Sequence, residues 1–241
     1  MFDCSLPHTT GPEGQRAWYV PSVLRTPVRW DQWVGSVSEG GRVNFFEITF
    51  HPHGNGTHTE CQGHITEEFF SVTDVHIPLS MPALLLSLEP QKQENGDSVL
   101  ALEEIQKAWR AVHPTASCVR ALCLRTLPNL DSKKTRKHSH TNPVYLSAET
   151  MEWIVQQGID HLVVDQMSVD REEDGGNLIA HRIFWGIPAG SILPGTRPGA
   201  TLTELAFFPN EAVDGLYSLY LQVAPLVNDA APSRPILMPL T

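Results

Sequence analysis

The sequence has no apolar run long enough to cross a membrane, because none approaches the roughly 18–20 residues that a bilayer requires. Its first residues, MFDCSLPHTTGPEGQ, lack the basic region and the apolar stretch of a secretory signal. Positive charge is also scarce, since 17 Lys and Arg residues face 27 Asp and Glu residues and the formal net charge is −10. Nucleic acids and anionic membranes bind basic faces, so we expect neither as a partner. We expect a cytoplasmic protein.

Cysteine is rare as well. The chain has 4 cysteines, and none belongs to a C-x-x-C pair. Cys118 and Cys123 lie in the apolar stretch SCVRALCLRT, which predicts small core residues. A disulfide framework is not expected in a cytosolic protein of this size. The remaining composition, with 41% hydrophobic residues in 241, is that of a folded protein with a substantial core.

Hydrophobic periodicity predicts a mixture of strands and helices in one domain, 1–241, without a dividing linker. Residues 1–40 are rich in Pro, Gly and Trp, and we interpret them as an irregular arm available to an interface or to the pocket. Helices are predicted over 101–112 and 147–158, the second with Ser147 as its N-cap. Apolar or alternating runs predict strands over 43–50, 81–90, 118–126, 159–166, 201–209 and 215–226. The order strand, helix, strand indicates an α/β fold.

The segment HPHGNGTHTECQGHI, residues 51–65, concentrates four histidines and a glutamate. If the segment is extended, His58 and Glu60 point to the same face, so an imidazole and a carboxylate converge as a metal site requires. Gly54 and Gly56 permit the tight turn that would bring His53 to the same point. The spacing alone leaves two interpretations open: a metal-binding loop, or a polar turn with solvent-exposed histidines.

An open catalytic site commonly has three protein ligands and a water, so we looked for partners elsewhere in the chain. His181 in NLIAHRIFWG and Glu204 in TLTELAFF each interrupt an apolar segment. A carboxylate in a buried strand is costly unless it is paired or binds a metal. Both residues are therefore candidate ligands, and the alternative for Glu204 is a strand residue turned to solvent or to an arginine.

The loop resembles the H-x-G-T-H-x-D-x-P-x-H motif of the cyclase-like metal-dependent hydrolases, the family of bacterial kynurenine formamidase and isatin hydrolase. The resemblance extends over about residues 40–240, through the later segments LRTLPN, YLSAETMEWIVQQGIDHLVVDQMSVD, TLTELAFFP and LYSLYLQVAPLVNDAAPSRPIL. It implies an α/β fold of the swivelling β/β/α type found in the cyclase/kynurenine formamidase group. It also implies a homodimer or a larger homo-oligomer.

Carried over residue by residue, the resemblance implies a divalent metal, Zn or Mn. The implied ligands are His53, His58, Glu60, His181 and Glu204. His64, the last histidine of the motif, would be the general acid/base, and Trp18 is a candidate aromatic wall for a flat substrate. The implied activity is hydrolysis of a small amide, formamide or cyclic amide by a metal-activated water, that is, of C–N bonds other than peptide bonds.

The sequence departs from the motif at several positions. Gly54 stands where the first histidine is expected and His53 is displaced by one residue, while Glu60 replaces an aspartate and Gln62 a proline. These departures leave open whether the site binds one metal ion or two. They also keep an alternative, a non-catalytic protein that binds a small metabolite at a degenerate metal site. A structural metal site fits less well, because structural zinc usually has four Cys or His ligands.

Overall fold

In the computed structural model, which describes residues 1–112 and 119–240, the long apolar runs form one curved sheet. The strands are β1 (Phe2–Asp3), β2 (Leu24–Pro27), β3 (Arg29–Trp30), β4 (Trp33–Val34), β5 (Phe46–Thr49), β6 (His58–Glu60), β7 (Met81–Leu88), β8 (Gln91–Lys92), β9 (Ser98–Leu100), β10 (Ala121–Thr126), β11 (Tyr145–Leu146), β12 (His161–Val164), β13 (Thr201–Glu204), β14 (Gly215–Val223) and β15 (Ala230–Pro239). The α-helices are α1 (Leu102–Val112), α2 (Ala148–Gln156) and α3 (Ile179–Trp185).

The large sheet closes on itself through its last strand. Its order is β1-β15-β14-β7-β10-β12-β13-β6, and β15 also pairs with β6. Seven strands therefore form a ring, in which β7, β10, β12 and β13 are parallel and β14, β15 and β6 run antiparallel to their neighbours. The short β1 pairs with another part of β15. Closure of the ring brings β6, with its histidine and glutamate, against both β13 and β15.

Two apolar clusters cover the two faces of this sheet. Alternate residues of a strand point to opposite faces, so Leu84 and Leu86 of β7 pack with the helices, whereas Ala83 and Leu85 belong to the second cluster. Because both faces are buried, β7 and β10 are continuous apolar runs rather than alternating ones. The second cluster also contains Cys123, which is fully buried, so the prediction of a core residue is confirmed there; Cys118 lies outside the described residues.

Both predicted helices are present, and a third was missed. The side chain of Ser147 accepts a hydrogen bond from the Thr150 amide at 3.2 Å, which confirms it as the N-cap of α2. α3 was not predicted. The strand predicted over 43–50 is shorter, since only β5 forms. The N-terminal arm is irregular apart from short strands, of which β1 joins the large sheet. Among the described residues, no helix combines the length and the apolar character needed to cross a membrane.

Candidate metal centre

The pairing of β6 with β13 positions three of the candidate ligands. His58 lies opposite Glu204 in the antiparallel register, and Glu60 lies opposite Leu202. Between them Thr59 points to the other face, where its hydroxyl oxygen is 2.7 Å from that of Thr203. His58, Glu60 and Glu204 are all at most 2% exposed. The alternation expected for an extended segment therefore brings two carboxylates and an imidazole to one buried face.

The turn from Gly54 to Gly56 brings His53 back to the same face. The side chain of Asn55 fixes the turn, because it accepts a hydrogen bond from the His51 amide at 2.8 Å and donates one to the Pro21 carbonyl at 3.1 Å. Gly56 has a φ of 85°, a left-handed conformation that favours glycine. His53 Nδ1 consequently lies 2.9 Å from Glu60 Oε2. His53 is therefore beside Glu60 although it is displaced by one residue from the motif.

His181 reaches the cluster from α3. Its Nε2 lies 3.0 Å from Glu60 Oε1 and 3.8 Å from Glu204 Oε1. On its other side Nδ1 is 2.6 Å from Asp170 Oδ2, and the same carboxylate accepts hydrogen bonds from the amides of Ala180 and His181. A carboxylate behind a histidine in this way fixes the orientation of the ring and is typical of metal-ligating histidines.

The ring nitrogen of His58 provides the test of whether a metal fits. Nε2 is buried and has no hydrogen-bond partner, although it lies 3.6 Å from Glu204 Oε2. An unpartnered buried polar atom is costly. Ligand atoms approach within 4.8 Å of one another in three overlapping groups: His53, His58 and Glu60; His53, His64 and Asp229; and Glu60, His64 and His181. Imidazole and carboxylate donors at this spacing fit a divalent metal such as zinc or manganese.

The electrostatics of the cluster favour positive charge. Burial acts to lower the pKa of His53, but the carboxylates of Asp229 and Glu60 outweigh it and raise the pKa to about 10. Burial likewise opposes charge on Glu60, yet His64, His181 and His53 hold its pKa well below the ordinary value. Asp170 and Glu60 similarly raise the pKa of His181 against the effect of its burial. A bound divalent cation would replace the protons that balance these carboxylates.

A cavity of about 340 Å³ opens onto the cluster. Its lining combines His53, His64, His181 and Glu204 with an apolar part formed by Trp18, Val20, Pro52 and Leu178. Trp18 also packs beside Ala17, Met167 and Leu205. All residues predicted for the site, Trp18 included, therefore lie around one point, with His58 and Glu60 beneath the cavity.

Sequence reasoning missed Asp229. Its Oδ2 lies 2.7 Å from His53 Nε2 and 3.3 Å from His64 Nδ1. Nothing in the stretch LVNDAAPSRP distinguishes this aspartate from one in a turn.

Comparison with known proteins gives a family-model match and a set of structural neighbours. A family model described as "Putative cyclase" matches residues 4–171. An isatin hydrolase bound to thioisatinate superimposes with a TM-score of 0.70 and 15% identity, over 99% of this chain and 92% of that one. Isatin hydrolase A from Labrenzia aggregata superimposes with a TM-score of 0.66 and 15% identity, over 98% of this chain and 93% of that one. A "predicted metal-dependent hydrolase" from Bacillus stearothermophilus superimposes with a TM-score of 0.62 and 16% identity, over 98% of this chain and 96% of that one.

At these identities the superpositions show the fold, and they confirm the predicted α/β fold of the cyclase and isatin hydrolase type. The resemblance inferred from the histidine loop is confirmed by the family model and by these neighbours. No curated protein matches the sequence.

Proposed function

Since the chain belongs to the family described as "Putative cyclase", we propose that it is a metal-dependent hydrolase of a small amide, formamide or cyclic amide. One observation carries the proposal. The buried His58 has an unpartnered Nε2 that lies 3.6 Å from Glu204 Oε2, and it offers a ligand atom within 4.8 Å of those of His53 and Glu60, beside a cavity large enough for a small organic molecule. The neighbours with isatin hydrolase activity support the same reaction class, because isatin is a cyclic amide.

In this proposal His53, His58 and Glu60 hold one Zn²⁺ or Mn²⁺, and His181 and Glu204 complete the site or hold a second ion. When bound, the metal supplies Lewis acidity, which brings the pKa of water toward neutrality and polarises a carbonyl. His64 takes a proton from the attacking water and gives it to the leaving nitrogen. It suits this role because it is 30% exposed beside the cavity, whereas His58 is fully buried.

The lining of the cavity supports a neutral, flat substrate. Among the described residues that line it there is no lysine or arginine, so apart from the histidines of the cluster it offers no basic partner for a substrate carboxylate. Trp18 and Leu178 instead present apolar surface, and aromatic side chains bind flat rings well. We therefore favour an aryl formamide or a cyclic aromatic amide over a substrate with a free carboxylate.

The test is elemental analysis of protein purified without chelator, followed by assays on neutral aryl formamides and cyclic amides. We expect at least one equivalent of divalent metal per chain, loss of turnover after chelation, and recovery with Zn²⁺ or Mn²⁺. A protein that carries no divalent ion, and whose stability and activity do not change when metal is added, would contradict the proposal. Stabilisation by a ligand without any turnover would favour the non-catalytic binding protein instead.

We further propose that the chain assembles as a homodimer through residues 24–49, a segment that extends from the N-terminal arm predicted over 1–40 to the end of β5 and is called the interface arm below. β2 pairs with β5 and β3 with β4 in two small two-stranded sheets. Such sheets are marginal in water by themselves. Large apolar side chains remain exposed on the interface arm: Leu24, Trp30, Trp33, Val37, Val43, Phe45 and Ile48. An apolar surface of this extent is typical of an interface, and a second copy of the chain would cover it.

The double variant Phe45→Ser with Ile48→Thr should dissociate this dimer, because both side chains are more than half exposed in one chain. Truncation of one apolar anchor in an interface costs about 2 kcal/mol, which is a factor of roughly 30, so we expect the dimer of the double variant to be at least roughly 30-fold weaker in sedimentation velocity. Leu79→Ser removes an equally exposed apolar residue outside the interface arm and should leave the dimer intact. A wild-type protein that is monomeric at micromolar concentration would exclude the proposed interface.

A further inference from the structure

Asp229 is held beside the candidate centre by the backbone on both sides. It immediately precedes β15, whose first residues pair with β6 so that Ala230 lies opposite Glu60. The carbonyl of Asp229 accepts a hydrogen bond from the Cys61 amide at 3.0 Å, and the carbonyl of Asn228 accepts one from the Val72 amide at 2.8 Å. The carboxylate therefore leaves a fixed turn, and its position does not depend on a mobile loop.

A single oxygen of this carboxylate contacts two histidines with different proposed roles. Oδ2 lies 2.7 Å from His53 Nε2 and 3.3 Å from His64 Nδ1. The two rings are stacked, with their centroids 4.2 Å apart and their planes at 30°. On His53 the opposite nitrogen, Nδ1, is the one that faces Glu60 and the cluster. On His64 the opposite nitrogen is Nε2, which this contact leaves available to the cavity.

We propose that Asp229 is a positioning residue that fixes both the displaced ligand His53 and the acid/base His64, an inference that rests on the proposed function. By accepting a hydrogen bond from His53 Nε2, it directs Nδ1 to the metal position, which the motif assigns to a residue one place later in the chain. By accepting one from His64 Nδ1–H, it selects the tautomer whose Nε2 is free to take a proton from water. Carboxylate partners of this kind orient ligand and catalytic histidines.

The experiment compares Asp229→Ala and Asp229→Asn with Val227→Ala, which changes an exposed residue of the same turn. Metal affinity is measured by competition with a chromogenic chelator, separately from turnover. We expect Asp229→Ala to bind Zn²⁺ on the order of 10–100-fold more weakly, Asp229→Asn to be intermediate, and Val227→Ala to match the wild type. With a neutral amide substrate, kcat should fall about 100-fold or more in Asp229→Ala, while KM changes less than roughly threefold.

A second measurement uses neither turnover nor a metal affinity as its readout. Ring ¹⁵N–¹H spectra of zinc-grown protein, with the His64 signal identified by its loss in His64→Gln, should show the Nδ1–H tautomer in the wild type and in Val227→Ala. Asp229→Ala should lose it. If the wild type turns over no substrate but the tautomer depends on Asp229, the proposed function fails and the positioning role stands. Unchanged tautomer, metal affinity and kcat in Asp229→Ala would overturn the positioning role even if the protein is a hydrolase.

Discussion

His58→Ala is expected to lose both the bound metal and the hydrolase activity. His58 is fully buried, and its unpartnered Nε2 lies 3.6 Å from Glu204 Oε2, so its removal takes away the imidazole ligand that β6 supplies. Loss of the metal removes several kcal/mol of transition-state stabilisation, which corresponds to a rate loss on the order of 10³-fold or more. Metal content per chain and kcat of the purified variant measure the two effects.

His51→Ala provides the matched control for metal content. His51 belongs to the same histidine-rich loop, but only its backbone participates in the turn: its amide donates to the Asn55 side chain, and its carbonyl accepts from the amides of Gly54 and Asn55. An alanine keeps that amide. The control should therefore retain the wild-type amount of metal, and circular dichroism of both variants would show whether the fold is preserved. A His58→Ala protein that still binds a full equivalent of metal would place the centre on other residues.

Unlike His58→Ala, the variant His64→Ala should keep the bound metal and lose only turnover. The candidate ligands His58, Glu60 and His181 should remain in place without the His64 side chain, whose one hydrogen bond among the described residues is to Asp229. Positioned acid–base groups typically contribute about 10²–10⁴-fold, and we expect kcat to fall within that range. Elemental analysis and steady-state kinetics on the same preparation measure both quantities.

The ligand groups allow a sharp alternative for His64. It lies within 4.8 Å of candidate ligand atoms on two sides, with Asp229 and His53 in one group and with Glu60 and His181 in the other. If His64→Ala loses metal in proportion to activity, His64 is a ligand and the acid/base lies elsewhere. If metal content is kept but kcat is also unchanged, His64 takes no part in the reaction.

Much of the centre could be predicted because its signals are local. The two-residue spacing of His58 and Glu60 fixes their common face once the segment is extended, and this needs no knowledge of the rest of the fold. Glu204 was recognisable as a charge within an apolar strand, where burial without a partner is costly. The structure places these residues in the cluster through the same two features, the alternation of an extended strand and the pairing of a buried charge.

The remaining parts depend on contacts that no local pattern records. Asp229 lies 165 residues beyond His64 and meets it only because β15 pairs with β6. The sequence did not predict α3, because the helix is only 7 residues long and buries Ala180, His181, Phe184 and Trp185. It therefore lacks the alternation of apolar and polar residues every three to four positions by which an amphipathic helix is recognised. The closure of the ring of strands could not be predicted from the sequence either, since β15 pairs with β6 through one of its segments and with β1 through another.

The double pairing of β15 has a consequence for the order of events during synthesis. β6 carries His58 and Glu60 early in the chain, but it obtains its second neighbour only when residues 230–232 have left the ribosome. Pairings between such distant segments pay the entropy of closing a long loop before they gain contacts. We infer that the metal centre cannot be complete in a nascent chain that ends before β15. Completion of the candidate centre is thereby expected to be a late step of folding.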